Sequence, residues 1–291
     1  MAKDDNFYLK SIVMTNINLL IPLLIVLTSC QSRKSTESIE QKQKVETQTI
    51  AVVITDETFN APDSIPAGYI KLSLSNNASG MHSAHLIKLD KGYTTDQMIK
   101  TYADSMRTGG SRPSWMTHRG GVISEPGTSE IELLLEPGDY TWVCVLGDES
   151  APHFAGHEHK SLTVYGTIDA SQQLPPPDLI ITMTDENFAL SKPVSKGNQT
   201  IDIVNSGSKY HLVAISKLNE GATAEDVTSW FTNYNGPPPA KGIIATTAIG
   251  PALTARINAD FDSGEYVLYC MANAEGKFHL LDGAITAFTV N

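Results

Sequence analysis

Cysteine is scarce in this chain of 291 residues, which has three. Cys30 follows an apolar run, so only Cys144 and Cys270 remain for the body of the protein. Two remaining cysteines in an exported chain invite a disulfide, a reading that the internal repeat described below argues against. Basic residues are also in deficit, 21 Lys and Arg against 32 Asp and Glu, for a formal net charge of -11. A surface that acidic repels nucleic acid and anionic headgroups, and no nucleic-acid partner is expected. The apolar run from Leu19 to Leu27 has nine residues, well short of the ~20 that a membrane-spanning helix needs. There is no Gly-x-Ser-x-Gly elbow and no phosphate-cradling glycine loop with Lys. What is present, 41% hydrophobic and 18% charged residues, suffices for packed cores and argues against disorder.

The apolar run ends in Leu27-Thr28-Ser29-Cys30. Small residues before a cysteine, directly after an apolar core, resemble the bacterial lipobox. The resemblance implies a signal peptide over residues 1–29 and a lipid on Cys30 that ties the chain to a membrane. Translation from Met14 would shorten that segment. Residues 30–49 are mostly Gln, Ser, Lys, Glu and Thr, with almost nothing to bury, and read as a polar tether. The expected location is the cell envelope, on the periplasmic face or the cell surface.

The rest of the chain repeats itself. Thr55-Asp56-Glu57-Thr58-Phe59 returns as Thr184-Asp185-Glu186-Asn187-Phe188, and at this offset Gly68 pairs with Gly197, Asn76 with Asn205 and His82 with His211. After a loss of three residues, Gly138 and Tyr140 pair with Gly264 and Tyr266, Cys144 with Cys270, and His153 with His279. Most other positions differ, which makes the shared His, Cys and His informative. Cys144 and Cys270 are expected at equivalent places in two separately folded cores, beyond the roughly 7 Å Cα limit of a disulfide.

Each copy reads as β. Alternation is plain in Tyr69-Ile70-Lys71-Leu72-Ser73-Leu74 and in Thr200-Ile201-Asp202-Ile203-Val204. One helix per copy is expected, starting near Thr95 and near Ala224, with Thr94 or Thr95 and Thr223 as caps. The last strands are expected at 160–165 and 285–290. Short strands, turn signals and a single helix predict an all-β fold of two tandem Greek-key β-sandwich domains. The first spans residues 50–171 and the second 179–291, joined by the stiff spacer QQLPPPD at residues 172–178. Each half is expected to fold on its own.

A thiolate and two neutral imidazoles are the donors of a trigonal blue-copper site, whose axial position is weakly held by Met or an oxygen. His82, Cys144 and His153 offer that set in the first half, and His211, Cys270 and His279 in the second. On these residues each half resembles a cupredoxin, and the resemblance covers nearly all of both repeats. The nine-residue step from Cys to His resembles the type 1 copper loop of copper nitrite reductases, in which a Met follows five residues after the His. Here that position is Glu158 in the first half and Ala284 in the second. The resemblance implies at most one copper per domain, with Glu158 as a fourth donor in the first. A plainer alternative for Cys144 and Cys270 is a small residue filling a sandwich core, and for His82 and His211 a histidine bonded to a loop.

Other candidates are His157 and His159, which flank Glu158, and Met106, Met116 and His118, read as lying in a long loop from Arg107 to Gly121. His85 should face away from His82 on the same strand, at the surface or behind the ligands. The oxidases and nitrite reductases that share this motif carry histidines beside the Cys. The neighbours here are Val143 and Val145, then Tyr269 and Met271, so no catalysis is expected. The expected function is copper binding and single-electron transfer with a redox protein partner. The alternatives are a metal-free binding or assembly module, or a copper buffer or chaperone.

Overall fold

A computed structural model describes residues 47–108, 112–147, 152–169, 171–274 and 277–291. The lipidation expected at Cys30, the signal peptide and most of the tether lie outside these residues. The first half contains β1 (Gln48–Ile54), β2 (Phe59–Asn60), β3 (Ser64–Pro66), β4 (Gly68–Asn76) and β5 (His82–Leu89). After these come α1 (Thr95–Thr108), β6 (Met116–Ser124), β7 (Gly127–Leu135), β8 (Gly138–Val143) and β9 (His159–Tyr165). The second half contains β10 (Leu179–Met183), β11 (Phe188–Leu190), β12 (Gly197–Asn205) and β13 (Ala214–Leu218). It continues with α2 (Ala224–Asn233), β14 (Ala240–Thr246), β15 (Thr254–Phe261), β16 (Gly264–Tyr269), β17 (Asn273–Ala274), β18 (Lys277–Phe278) and β19 (Ile285–Val290). Among the described residues no helix is long and apolar enough to cross a membrane.

The alternation read in the sequence sets the sandwich. In β4, Ile70, Leu72 and Leu74 point inward and are buried, while Lys71, Ser73 and Ser75 are only partly covered; β12 repeats this with Ile201 and Ile203. Helix starts fall where expected. Thr94 and Gln97 exchange hydrogen bonds at the head of α1, and Thr223 and Asp226 form a capping box on α2.

Both sheets run through both halves. One has the order β11-β10-β12-β15-β7-β4-β1-β2, the other β19-β16-β13-β14-β6-β5-β8-β9-β3. The halves meet where β15 pairs antiparallel with its counterpart β7, and β14 with its counterpart β6. Equivalent strands paired in this way form a seam with approximate two-fold character. Buried residues of the two halves belong to one continuous apolar cluster, from Ile50 and Leu72 to Ile203 and Ile257.

Two readings of the sequence are corrected here. The supposed loop from Arg107 to Gly121 begins inside α1, which runs to Thr108, and ends inside β6, which starts at Met116. Of the two places expected for His85, the surface is excluded, because the residue is fully buried. Both errors have one cause, a second layer over the outer face of β5. There Ile87 and Leu89 pack with Met98 and Tyr102 of α1, and with Met116, Val143 and Phe154. A β-bulge in β6 then brings His118 to the same face. His85 pairs with Gly121 and Leu86 with Gly120, but Ile87 pairs with His118, so Arg119 is left out of the register. Without that extra residue His118 would oppose Lys88 and point the other way. The bulge depends on Gly121, because a Cβ there (φ 156°) would sit 1.9 Å from the carbonyl oxygen of Ala84.

Candidate metal centres

Four elements converge on the first centre. His82 opens β5, Cys144 follows β8, His153 starts a 3-10 turn (His153–Ala155), and Glu158 directly precedes β9. The turn before His82 is clamped by buried Asn76, whose side-chain amide donates to the carbonyls of Gly80 and Ser124. Asn205 repeats the clamp in the second half, donating to Lys209 and Ile249. A turn residue in the sequence is thus an anchor for the first histidine of each set.

The sequence-predicted donors come together. Cys144 Sγ lies 3.8 Å from His82 Nδ1 and 3.5 Å from His153 Nδ1. Glu158 Oε2 is 2.8 Å from His82 Nδ1, and Oε1 is 3.5 Å from His153 Nδ1. In the second half Cys270 Sγ lies 3.7 Å from Nδ1 of both His211 and His279, which are 3.1 Å from each other. Cys144 N–H donates to the carbonyl of Glu158, and Cys270 N–H to that of Ala284, so these two residues are structural equivalents. The other histidines stand apart. His157 is exposed, His159 donates from Nδ1 to the Phe154 carbonyl, and Met116 fills the core beneath α1.

Imidazole and thiolate donors about 2.0–2.3 Å from one ion, arranged trigonally, stand roughly 3.5–3.8 Å apart. The sulfur–nitrogen distances of both sets match that separation, and a second imidazole nitrogen of each set faces the same point. The residues therefore fit a small thiophilic ion, and a trigonal Cys-His-His set is copper's. Copper is the metal these two sets imply. Each sulfur is further oriented by a backbone donor, Ser83 N–H at 3.2 Å from Cys144 and Leu212 N–H at 3.4 Å from Cys270. Burial pushes the Cys144 thiol up to about 12 and raises the Cys270 thiol as well. Both stay protonated at neutral pH until a metal displaces the proton.

One residue at the second centre was missed in the sequence. Asp185 Oδ1 accepts a hydrogen bond from His211 Nε2 at 3.0 Å, which fixes the ring tautomer and leaves Nδ1 toward the sulfur. That bond, with those from Ser208 and Lys209, holds the Asp185 carboxyl far below the usual carboxylate range. Its counterpart Asp56 accepts from Ser79 in the same manner. The signal was in view, since Asp56 and Asp185 sit in the stretch by which the repeat was found. It served there only to set the register.

No protein-family model and no curated protein sequence matches the chain. Several solved structures are similar. Auracyanin from Roseiflexus castenholzii is 22% identical and covers 38% of this chain and 94% of its own, with a TM-score of 0.29. A blue copper oxidase from Nitrosomonas europaea is 15% identical and covers 84% of this chain and 86% of its own, with a TM-score of 0.24. A copper-containing nitrite reductase from Thermus scotoductus is also 15% identical and covers 84% and 61%, with a TM-score of 0.23. Two of these neighbours are enzymes, and the expectation that this chain carries no catalysis is corrected on that finding. With their strand order and their His, Cys and His sets, the two halves are tandem cupredoxin-like β-sandwich domains whose metal-binding groups resemble type 1 copper sites.

Proposed function

We propose that the chain is a lipid-anchored protein of the cell envelope that binds one copper per half and passes single electrons to or from a redox protein. The observation that supports this best is the doubled donor set, two buried Cys-His-His triangles at equivalent places in a diverged repeat. Bound copper supplies a one-electron change between Cu(I) and Cu(II). The protein's part is to hold the donors in place, exclude water and set the charge around the ion.

That charge differs between the halves. The first centre offers two anionic donors, Cys144 and Glu158, and Glu158 is only 5% exposed. The second offers one, Cys270, with Asp185 a step behind His211 and its side chain one-third exposed. Buried charge is stable when it is balanced. The first centre therefore favours a divalent ion, and the second a monovalent one. The proposed division, residues 50–171 and 179–291 about the spacer at 172–178, gives each half one of these centres.

Copper loading of the thiol-reduced protein, with metal analysis and a visible spectrum, tests the reading. Two coppers per chain with thiolate-to-copper absorption is the expected result. One copper would remove one half from the proposal, and none would leave the metal-free binding or assembly module. Electron exchange with a c-type cytochrome separates transfer from a copper buffer or chaperone. Replacing Cys30 with Ser should move the protein from the membrane to the soluble fraction, and continued membrane association would overturn the anchor.

A further inference from the structure

The seam between the halves holds a polar cluster that neither centre uses. His85 Nδ1 bonds to Thr247 Oγ1 of the second half, and His85 Nε2 lies 2.8 Å from His118 Nδ1. All three residues are buried, at 0%, 1% and 4% exposure for His85, Thr247 and His118. Among the described residues His118 Nε2 has no hydrogen-bond partner. Apolar side chains would close a β-sheet seam without the desolvation that two imidazoles and an unpaired nitrogen bring. The cluster is therefore an expensive way to join two sandwiches, and its position suggests another use.

Each end of the cluster leads to a copper ligand. His85 lies opposite Val143 in the ladder between β5 and β8, and Val143 is bonded to Cys144. On the other side the His118 ring packs against Tyr210, with centroids 4.7 Å apart, and Tyr210 is bonded to His211. A second strand of contacts runs through the backbone. Gly250 N–H donates to the His118 carbonyl at 2.8 Å, and the neighbouring Ile249 exchanges hydrogen bonds with His211 at 2.7 and 3.1 Å. Cys144 and His211 are thus linked by covalent bonds, strand pairing, hydrogen bonds and one ring contact.

We propose that His85, His118 and Tyr210 form a conduit for electrons between the two copper centres, so that the chain works as one two-electron unit rather than two separate carriers. The inference rests on the two-copper reading above. In the transfer, Cu(I) at one centre loses an electron and becomes Cu(II), and Cu(II) at the other gains it and becomes Cu(I). No bond forms or breaks and no proton leaves the cluster. The imidazoles and the phenol ring serve as the medium and are not themselves oxidised.

The test uses the full chain loaded with copper at both centres and fully oxidised. A pulse of photogenerated reductant supplies less than one electron per chain, and the absorption of each centre is followed in time. Single Cys144→Ser and Cys270→Ser variants provide the reference spectra. The expected result is a re-equilibration phase whose rate does not change over a tenfold range of protein concentration. His118→Phe, which keeps a ring but loses the bond to His85, should slow that phase at least tenfold while leaving both potentials and both spectra unchanged. Tyr210→Leu should slow it as well, whereas Tyr210→Phe should not. Tyr210 is only half-buried, so its variants keep the test decisive if His118→Phe does not fold. A rate that scales with protein concentration overturns the conduit, as does an unchanged rate in Tyr210→Leu. Failure to take up two coppers overturns the two-copper reading and the conduit with it.

Discussion

At the first centre Glu158 stands 2.8 Å from His82, and His153 keeps about a third of its side chain in solvent. At the second, Ala284 takes the place of Glu158, His211 and His279 are both buried, and Asp185 braces His211 from behind. The same strands, turn clamp and Cys-to-His step produce these two surroundings. The difference teaches that the repeat preserves the grip on an ion while leaving the charge around it free to diverge. The first centre is open and doubly anionic, and the second is closed with its extra carboxylate one bond removed. A lower potential is expected at the first and a higher one at the second.

The largest effect should come from removing a sulfur. Cys270→Ser is expected to take the copper content from two per chain to one and to abolish only the upper redox transition; metal analysis and voltammetry read both. Loss of both coppers would show that the centres are not independent in binding.

Acid should act next, on the seam. Burial, followed by the nearby Arg112, holds His118 down to about 3, and burial keeps His85 well below its usual range, with His118 adding to it. Tyr102 from α1, Tyr210 from the second half and Arg112 face the pair. In the unfolded chain both histidines titrate near 6.5, so below that pH the unfolded state binds more protons. The stability from neutral burial is complete above about pH 6.5 and is lost progressively as pH falls toward 3. At pH 4 the loss should reach about 3 kcal/mol for His118, at ~1.36 kcal/mol per pH unit. Chemical denaturation of the metal-free chain between pH 7 and pH 4 measures this. His118→Phe should flatten the curve, and an identical slope in that variant would place the acid lability elsewhere.

Glu158→Met sharpens the comparison directly. Replacing an anionic oxygen by a thioether should raise only the lower potential, by on the order of 100 mV, since a decade in relative Cu(I) affinity is about 59 mV for one electron. A shift in the upper transition would reverse the assignment of the two potentials. The smallest effect is expected from Asp185→Asn, which keeps an acceptor for His211 but removes the charge. The upper potential should rise by roughly 30 mV, because a partly exposed carboxylate is screened by solvent. An effect as large as that of Glu158→Met would show that Asp185 balances the ion as strongly as a direct donor.

Six of the seven donor residues were legible because they recur at fixed offsets, so that a repeat in sequence became a repeat in space, and Glu158 because it stands where the resembled copper loop has its Met. The alternation of β4 and β12, the caps at Thr94 and Thr223, and the final strand at 285–290 were legible for the local reason that neighbours three residues or fewer apart decide them. His85 and His118 were not. Their meeting needs the extra Arg119 in β6, and no local pattern marks a bulge except the Gly120-Gly121 pair, which was read as loop. The cover over β5 was equally hidden, since the layer that α1 completes also takes Val143 and Phe154 from far along the chain, and that packing has no period in the sequence. Asp185 lies 26 residues before His211, and only the folded turn brings it to the ring.

The pairing of β6 with β14 and of β7 with β15 has a further consequence. In a lone half these strands would be open edges, with unpaired N–H and C=O groups free to recruit any other strand. A second copy of the same half could satisfy them, but by mass action such a dimer falls apart when the protein is dilute. The spacer at residues 172–178 makes the partner permanent, at an effective concentration set by a few stiff residues. The edges are then covered however little protein is made.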